Sequence, residues 1–211
     1  MLTIWGRNTS SNVQTVMWAV AELGMEHERV DWGGAFGGND DPDYRAMNPN
    51  GLIPVLKDGG AVIWESPAIL RYLGARYGAE AFWPTDPARR AELDMWAEWI
   101  KTSVAPELIY KVFWNLVRAT KPDPAALASG AEGLKTLMPR LDARLAESPY
   151  LGGTEICFAD IMAGHVLYRY MTLDFEKVAT PNLDAYYGRL TDRPAYAEHV
   201  MISYESLRGT A

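Results

Sequence analysis

Two short stretches of this chain carry residue types that together can recognise a free amino-acid group. They are Ile53-Pro54, at the start of an apolar run, and Glu65-Ser66, a short distance further along. Proline has no backbone N–H, so Pro54 predicts a turn, interpreted as cis, that leaves the amide and carbonyl of Ile53 open to a ligand. Glu65 can hold an ammonium group, while Ser66 at a helix start can hold a carboxylate. The sequence therefore predicts a receptor for the α-amino-acid group of a short peptide.

A polar loop, residues 7–12, lies between the first predicted strand and the first predicted helix. It offers side-chain hydroxyl and amide groups at Ser10, Ser11 and Asn12, and it contains neither cysteine nor tyrosine. One interpretation is that one of these side chains merely caps the helix. The other is that they donate hydrogen bonds to a ligand at the positive end of that helix.

The elements that position these residues form a small α/β unit. Leu2 to Gly6 predicts a buried strand, and Asn12 to Leu23 predicts a helix with apolar residues at helical spacing and Gly24 at its end. His27 to Asp31 predicts a second strand, parallel to the first because strand, helix and strand imply a right-handed crossover. The remaining elements of this unit are a hairpin, Val55–Lys57 with Ala61–Trp64, and a helix that Ser66 caps with Pro67 at its first position.

The pattern changes after Gly78. A proline-bearing linker, residues 79–86, is followed by sequence that is typical of helices. We therefore predict an α/β domain with four strands at 1–78 and an all-helical domain at 87–211. Pro106 is expected to kink or end the first helix of the second domain. The other predicted helices are Leu127 to Ala146, Phe158 to Thr172, Pro181 to Leu190 and Arg193 to His199.

The composition argues against several classes of protein. A formal net charge of −7 and a pI near 5.0 argue against a nucleic-acid-binding protein, because such a protein needs a basic surface. The sequence contains no apolar run of about 18 residues, the length that a membrane span requires. No secretory signal is recognisable at the amino terminus. One cysteine, Cys157, permits no internal disulfide, and the three histidines have no metal-ligand spacing. We expect a cytoplasmic protein.

This order of elements, with Ile53-Pro54 and Glu65-Ser66 at this spacing, resembles the soluble glutathione transferase family over almost the whole chain. The resemblance implies a thioredoxin-like first domain followed by a helical domain. It places Ile53-Pro54 at the family's cis-proline, with the backbone of Ile53 facing the cysteinyl part of glutathione. It places Glu65-Ser66 at the γ-glutamyl site. Glutathione would be a co-substrate, and no separate cofactor is implied.

In this family the loop after the first strand stabilises a glutathione thiolate. Without tyrosine or cysteine there, the chain resembles the serine-type theta, delta and zeta classes and the bacterial nu-like members. On that pattern Ser10 supplies the hydroxyl and Asn12 the amide, with Ser11 as the neighbouring alternative. A hydrogen bond to a charged acceptor contributes roughly 1.5–3 kcal/mol, which lowers the thiol pKa by about one to two units. Ser10 would be a donor and not a nucleophile.

The second substrate would bind between the domains, in a cleft expected to be largely apolar. Its candidate lining residues are Trp99, Ser103, Tyr110 and Trp114. Aromatic residues at helical spacing more often belong to a core than to a pocket. For the glycyl carboxylate of glutathione, the residues nearby in the pattern are Asn50 and Gln14. Residues 118–124 are interpreted as a surface loop.

The core helix departs from the family at its start. Members usually have Ser or Thr three residues before an aspartate, which makes a capping box. Here Asp160 is present, but the earlier residue is Cys157. Because a thiol is a poorer cap, this helix start is expected to be less stable, and Cys157 is interpreted as buried and structural.

These observations predict a homodimeric glutathione transferase that attaches glutathione to small apolar electrophiles, as in detoxification. Two alternatives use the same fold. One is a glutathione-dependent disulfide or peroxide reductase, as in nu-like members, and the other is a non-catalytic glutathione-transferase-like binding protein. Glu65-Ser66 and the polar loop argue against the second alternative, because a scaffold does not need them.

Overall fold

The computed structural model describes residues 1–211 and has the two-part architecture predicted from the sequence. The first part is thioredoxin-like, with four strands in a mixed sheet, and the second part is helical. The strands are β1 (Leu2–Trp5), β2 (His27–Val30), β3 (Val55–Asp58) and β4 (Ala61–Trp64). The helices of the first part are α1 (Ser11–Glu22), α2 (Pro42–Met47) and α3 (Ser66–Tyr77).

The sheet has the strand order β2-β1-β3-β4. β1 pairs in parallel with β2, as the predicted crossover through α1 requires, and it pairs antiparallel with β3. β3 and β4 form the predicted hairpin, and Gly59 in its turn has a φ of 56°, a conformation that glycine adopts without steric cost. This topology places the loop after β1 beside the residues that precede β3.

The first helix of the second part does not end at Pro106. After α4 (Pro87–Trp99), the chain stays helical through Ile100–Val104 and Pro106–Arg118. These residues form a π-helix, which is wider than an α-helix because each amide donates to the carbonyl five residues earlier. Proline lacks an amide hydrogen, and its ring would clash with the carbonyl four residues earlier in an α-helix. We infer that the wider winding accommodates Pro106 without a break.

The remaining helices agree with the predicted ones within a few residues. They are α5 (Pro124–Leu145), α6 (Phe158–Thr172), α7 (Pro181–Thr191) and α8 (Pro194–His199). Short 3-10 turns lie at Gly34–Phe36 and Glu205–Leu207. Arg118 was expected in a surface loop, but it is the last residue of the wide helix. None of the helices combines the length and apolarity that crossing a membrane demands.

One continuous core joins the two parts, and within it α1 lies against α6. Trp18 of α1 is fully buried, and its ring meets the ring of Tyr196 edge-on at 4.8 Å. Gly164 of α6 faces the same indole, because a Cβ atom added there would lie 2.5 Å from the ring. The close approach of α1 to α6 therefore depends on a glycine at this position.

Replacing Gly164 with alanine should lower the free energy of unfolding by about 1–3 kcal/mol through overpacking, although alanine is the better helix former. Gly188 in α7 is a matched control, since a Cβ atom there meets no atom within 4 Å. Gly188→Ala should stabilise the protein by up to about 1 kcal/mol. Urea unfolding measures both changes, and changes of the same sign would contradict the close packing of Gly164 on Trp18.

The start of α6 is secured by Asp160 rather than by a capping hydroxyl. Asp160 accepts hydrogen bonds from the amides of Cys157 at 2.9 Å and Leu151 at 2.8 Å, and from the hydroxyl of Tyr186 at 2.9 Å. Cys157 is buried, as predicted, and burial raises the pKa of its thiol well above the usual range. This aspartate ties the start of α6 to the preceding loop and to α7.

Candidate active site

A cavity of about 150 Å³ lies between the two parts of the molecule, beside the loop after β1. The loop lines it with residues 7 and 9–12, and the helical part closes the opposite side. The polar and aromatic residues from the helical part are Lys101, Tyr110, Trp114, Arg118, His165 and Arg169. The cavity thus combines the predicted donor loop with side chains from distant parts of the sequence.

The two serine hydroxyls of the loop are free. Ser10 occupies the N-cap position of α1, but its side chain makes no capping hydrogen bond. Neither its hydroxyl nor that of Ser11 takes part in any side-chain hydrogen bond within the chain. Capping by these side chains, one of the two interpretations of this loop, is therefore not observed. Both serines line the cavity, where their hydroxyls can donate to a ligand.

The side chain of Asn12 connects three elements. Its Oδ1 atom accepts hydrogen bonds from Lys101 Nζ at 3.0 Å and from Ser66 Oγ at 3.2 Å. An ammonium group can only donate, so the atom facing Lys101 must be the amide oxygen. The Nδ2 group of Asn12 is then left as a donor, because the oxygen is already occupied. Lys101 joins this cluster from the helical part, which the sequence analysis did not foresee.

Glu65 and Ser66 lie at the start of α3. Ser66 was expected to cap this helix, but it is the first helical residue, is 2% exposed, and uses its hydroxyl on Asn12. Glu65 takes the N-cap position with a φ of 69°, which is rare for a residue other than glycine and is often found at functional sites. Its exposed side chain does not cap the helix. Burial lowers the pKa of Lys101, and the Glu65 carboxylate partly opposes that shift.

The peptide bond between Ile53 and Pro54 is cis. Just before it, the carbonyl of Leu52 accepts hydrogen bonds from the Tyr44 hydroxyl and the Asn48 amide, each at 2.8 Å. The amide and carbonyl of Ile53 itself have no hydrogen-bond partner in the chain. The backbone of Ile53 is therefore available for pairing with an extended ligand.

Of the two residues considered for a glycyl carboxylate, Gln14 is already fully engaged. It is 1% exposed, donates to the carbonyl of Asn8 and accepts from Arg169 Nη1, each at 2.9 Å. It links the two parts of the molecule and is not open to a ligand. Asn50 is exposed in the loop before Pro54, and its side chain has no hydrogen-bond partner in the chain.

The structure brings Tyr110 and Trp114 to the cavity, but not Trp99 or Ser103. Trp99 packs edge-on against Trp96 at 5.5 Å, in a separate surface depression. Ser103 is half-buried outside the cavity lining. The cavity face of the wide helix runs through Lys101, Ala105, Ile109, Phe113 and Arg118. Trp99 comes two residues before Lys101, and Ser103 comes two residues before Ala105. Because residues two apart in a helix point in different directions, Trp99 and Ser103 lie on other faces of the helix.

The cavity lining is strongly basic. Arg7, Lys101, Arg118 and Arg169 all contribute to it, and no aspartate or glutamate does. Six of its fifteen residues are hydrophobic, so the expectation of a largely apolar cleft is wrong for this cavity. Sequence reasoning missed the cations because they come from three distant segments of a chain whose net charge is −7. The one available signal was Arg169, a charged residue within the mostly apolar α6.

His165 is the one histidine of the lining. It is 2% exposed, and its Nδ1 atom lies 2.6 Å from the carbonyl oxygen of Met162. Because a carbonyl can only accept, Nδ1 carries the proton of the neutral ring. Burial lowers the pKa of His165 to about 3, and the charges of Lys101 and Arg169 act in the same direction. The imidazole is therefore neutral near pH 7.

Comparison with known proteins gives matches along nearly the whole chain. Family models described as the N-terminal and C-terminal domains of glutathione S-transferase match residues 9–76 and 106–194. The glutathione S-transferase GstB of Escherichia coli strain K12 is 39% identical over 207 residues, which cover 96% of this chain and 99% of that protein. Glutathione S-transferase 3 of Zea mays is 33% identical, with 94% and 93% covered.

Among solved structures, the chain is similar to the theta class glutathione S-transferase of Xanthomonas axonopodis pv. citri with glutathione bound. The two superpose with a TM-score of 0.90 at 43% sequence identity, over 96% of this chain and 98% of the other.

Proposed function

The chain belongs to the glutathione S-transferase family, and on that premise we propose that its cavity activates the glutathione thiol as a thiolate and transfers it to a small electrophile. One observation carries the proposal. The free hydroxyl of Ser10 and the free amide group of Asn12 lie at the start of α1, and Asn12 contacts Ser66 directly. This arrangement combines sulfur donors with a site for the amino-acid end of glutathione.

Glutathione would lie along the surface from α3 to the loop after β1. The exposed Glu65 carboxylate would hold the γ-glutamyl ammonium, and the start of α3 at Ser66 would hold the γ-glutamyl carboxylate. The unpaired backbone of Ile53 would bind the cysteinyl part in antiparallel fashion. This placement directs the sulfur toward Ser10 and Asn12. Asn50 is the remaining candidate for the glycyl carboxylate.

The thiolate would be stabilised by donors that face it and by positive charge around it. A free thiol has a pKa near 8.5, so little thiolate exists at neutral pH without such help. Ser10 Oγ and Asn12 Nδ2 supply hydrogen bonds, and the positive end of α1 acts in the same direction. Lys101, 3.0 Å from Asn12 Oδ1, adds a nearby charge. The thiol proton passes to solvent, and a sulfur electron pair forms the new bond to the electrophile. A leaving group then departs with the electrons of its own bond, or a π bond of the electrophile breaks and takes up the electron pair.

A pH titration of the thiolate absorbance of bound glutathione tests this function. In the wild type the thiol should ionise well below its free pKa, and Ser10→Ala should raise the bound pKa by about one to two units. Ser11→Ala is the matched control, because it removes the neighbouring hydroxyl of the same loop. A normal pKa in the wild type would contradict the proposed activation. A larger shift in Ser11→Ala than in Ser10→Ala would assign the sulfur to Ser11 instead.

Two other functions make different demands on the same site. A disulfide or peroxide reductase would turn over hydroxyethyl disulfide faster than it conjugates electrophiles. A non-catalytic binding protein would retain glutathione affinity without either turnover. The free Ser10 hydroxyl favours conjugation over simple binding, because a binding protein does not need a donor placed for the sulfur.

Assembly, location and domain limits are also part of the proposal. Exposed apolar side chains on β4 and α4, namely Val62, Trp64 and Met95, support a homodimer. A cytoplasmic location and a role in detoxification remain the expectation from composition and family. The end of α3 at Tyr77 and the start of α4 at Pro87 support domains at 1–78 and 87–211 with a linker at 79–86.

A further inference from the structure

We infer that the second substrate of this site is an acid, a small electrophile whose carboxylate is bound by Arg7 and Arg118. The inference rests on the proposed function, since it names the class of electrophile that meets the glutathione thiolate. Three features of the cavity support it: its charge, its unpaired guanidinium groups and their position relative to the glutathione site.

The first feature is a concentration of positive charge in a lining that contains no acidic side chain. Three arginines and one lysine line a cavity of about 150 Å³ without any acidic neighbour in the lining. None of the four side chains forms a salt bridge within the chain. Arg7 and Arg118 line the same cavity, and burial, followed by the charge of Arg118, lowers the pKa of Arg7. A bound anion would relieve this repulsion.

The second feature is unused hydrogen-bonding capacity. The guanidinium groups of Arg7 and Arg118 donate no hydrogen bond to any atom of the chain. Buried nitrogens without a partner include Arg7 Nη1, Arg118 Nε and Arg169 Nε. Buried polar groups in native proteins are almost always paired, so such atoms call for a ligand or a water. A guanidinium group matches a carboxylate with two parallel hydrogen bonds.

The third feature separates this charge from the glutathione site. Lys101 donates a hydrogen bond to Asn12 and interacts electrostatically with Glu65, so it is part of the proposed glutathione site. Arg118 is the last residue of the same helical run, several turns beyond Lys101, and stacks on Trp114 at 4.5 Å. Tyr110 and Trp114 line the cavity between these two cations. Arg118 therefore lies at the opposite end of this helical run from Lys101, the lysine that contacts Asn12, and Arg7 lines the same cavity from the start of the loop after β1.

A small halogenated carboxylic acid is the simplest electrophile of this class. The thiolate attacks the carbon that bears the halogen, the carbon–sulfur bond forms, and halide leaves with the electrons of the broken bond. In water a thiolate and a carboxylate repel each other, which slows this reaction relative to a neutral substrate. A basic cavity removes that disadvantage, because it holds both anions among cations.

Chloroacetate and chloroacetamide form a matched pair for the test, since they differ only in the charged group. With glutathione and the full-length protein, chloride release gives kcat/KM for each, and the uncatalysed rate with glutathione alone gives the reference. We expect the acceleration of chloroacetate over its uncatalysed rate to exceed that of chloroacetamide at least about tenfold. Equal accelerations, or a larger one for the amide, would overturn the inference.

Variants of Arg118 then locate the carboxylate. In Arg118→Gln, the ratio of kcat/KM for the acid to that for the amide should fall roughly ten- to a hundredfold. Arg118→Lys keeps the charge but loses the paired geometry, and it should restore part of the ratio. Arg140→Gln removes the same charge from an exposed arginine outside the cavity and should leave the ratio as in the wild type. A ratio unchanged in Arg118→Gln, or lowered equally by Arg140→Gln, would contradict the assignment.

The two substrates also distinguish the inference from the proposed function. If the protein accelerates chloroacetamide but not chloroacetate, glutathione conjugation stands and the acid specificity fails. If it accelerates neither substrate, conjugation at this site fails, and the acid specificity fails with it.

Discussion

Replacing Asp160 with alanine should lower the free energy of unfolding by roughly 3–9 kcal/mol, because three buried donors lose their acceptor at about 1–3 kcal/mol each. The donors are the amides of Leu151 and Cys157 and the hydroxyl of Tyr186. No other group accepts from them within the chain, and Asp160 itself is fully buried. Urea unfolding, followed by circular dichroism, measures the loss.

Asp86→Ala is a matched control for this prediction. Asp86 also accepts from the amide at the start of a helix, that of Arg89 at 2.8 Å, but it is exposed. Water can replace it there, so its removal should cost only about 1 kcal/mol. Asp160→Asn retains one acceptor oxygen and should fall between the two alanine variants. A loss in Asp160→Ala no larger than in Asp86→Ala would show that the buried network does not stabilise α6.

Acid should destabilise the protein through His165. Its pKa is lowered to about 3 in the folded state by burial and by the nearby charges of Lys101 and Arg169. The unfolded chain has a histidine pKa near 6.5, so below that pH the unfolded state binds a proton that the folded state does not. The contribution of His165 to stability is therefore constant above about pH 6.5 and falls by about 1.4 kcal/mol per pH unit from there toward pH 3. At pH 4 the loss from this residue should be roughly 3 kcal/mol.

The variant His165→Asn isolates this contribution. Its amide nitrogen can replace Nδ1 as the donor to the carbonyl of Met162, and it does not titrate. Carboxylates titrate in both proteins and cancel in the comparison. The stability difference between the wild type and His165→Asn, measured by urea unfolding at pH 7 and pH 4, should shift by about 3 kcal/mol in favour of the variant. A difference that stays constant over this range would contradict a neutral buried imidazole.

Local patterns in the sequence predicted most of the secondary structure. The hairpin follows from the turn residues after Asp58, and α6 runs from Phe158 to Thr172 as predicted. Such features depend on residues close together in the chain, so their cause is readable there. The wide helix beyond Pro106 was not predicted, because ordinary α-helical periodicity gives no sign of a change in winding.

The candidate site divides in the same way. The loop with Ser10 and Asn12, and the pair Glu65-Ser66, were identified because each is a short local pattern. That Asn12 contacts Ser66 agrees with placing both in one site, although the roles of these residues remain predictions. Trp99 was assigned to the cleft from helical spacing alone and lies elsewhere, because spacing does not fix which face of a helix meets the other domain.

Local pattern and spacing along the chain were sufficient to predict the family, the order of elements and the side chains that a glutathione site would use. The character of the cavity lining, in contrast, depends on tertiary packing. Arg7, Lys101, Arg118 and Arg169 are far apart in an acidic chain, and no local pattern links them. They meet because the α1–α6 contact, made close by Gly164, fixes the two domains against each other. The basic character of the cavity is a product of that packing.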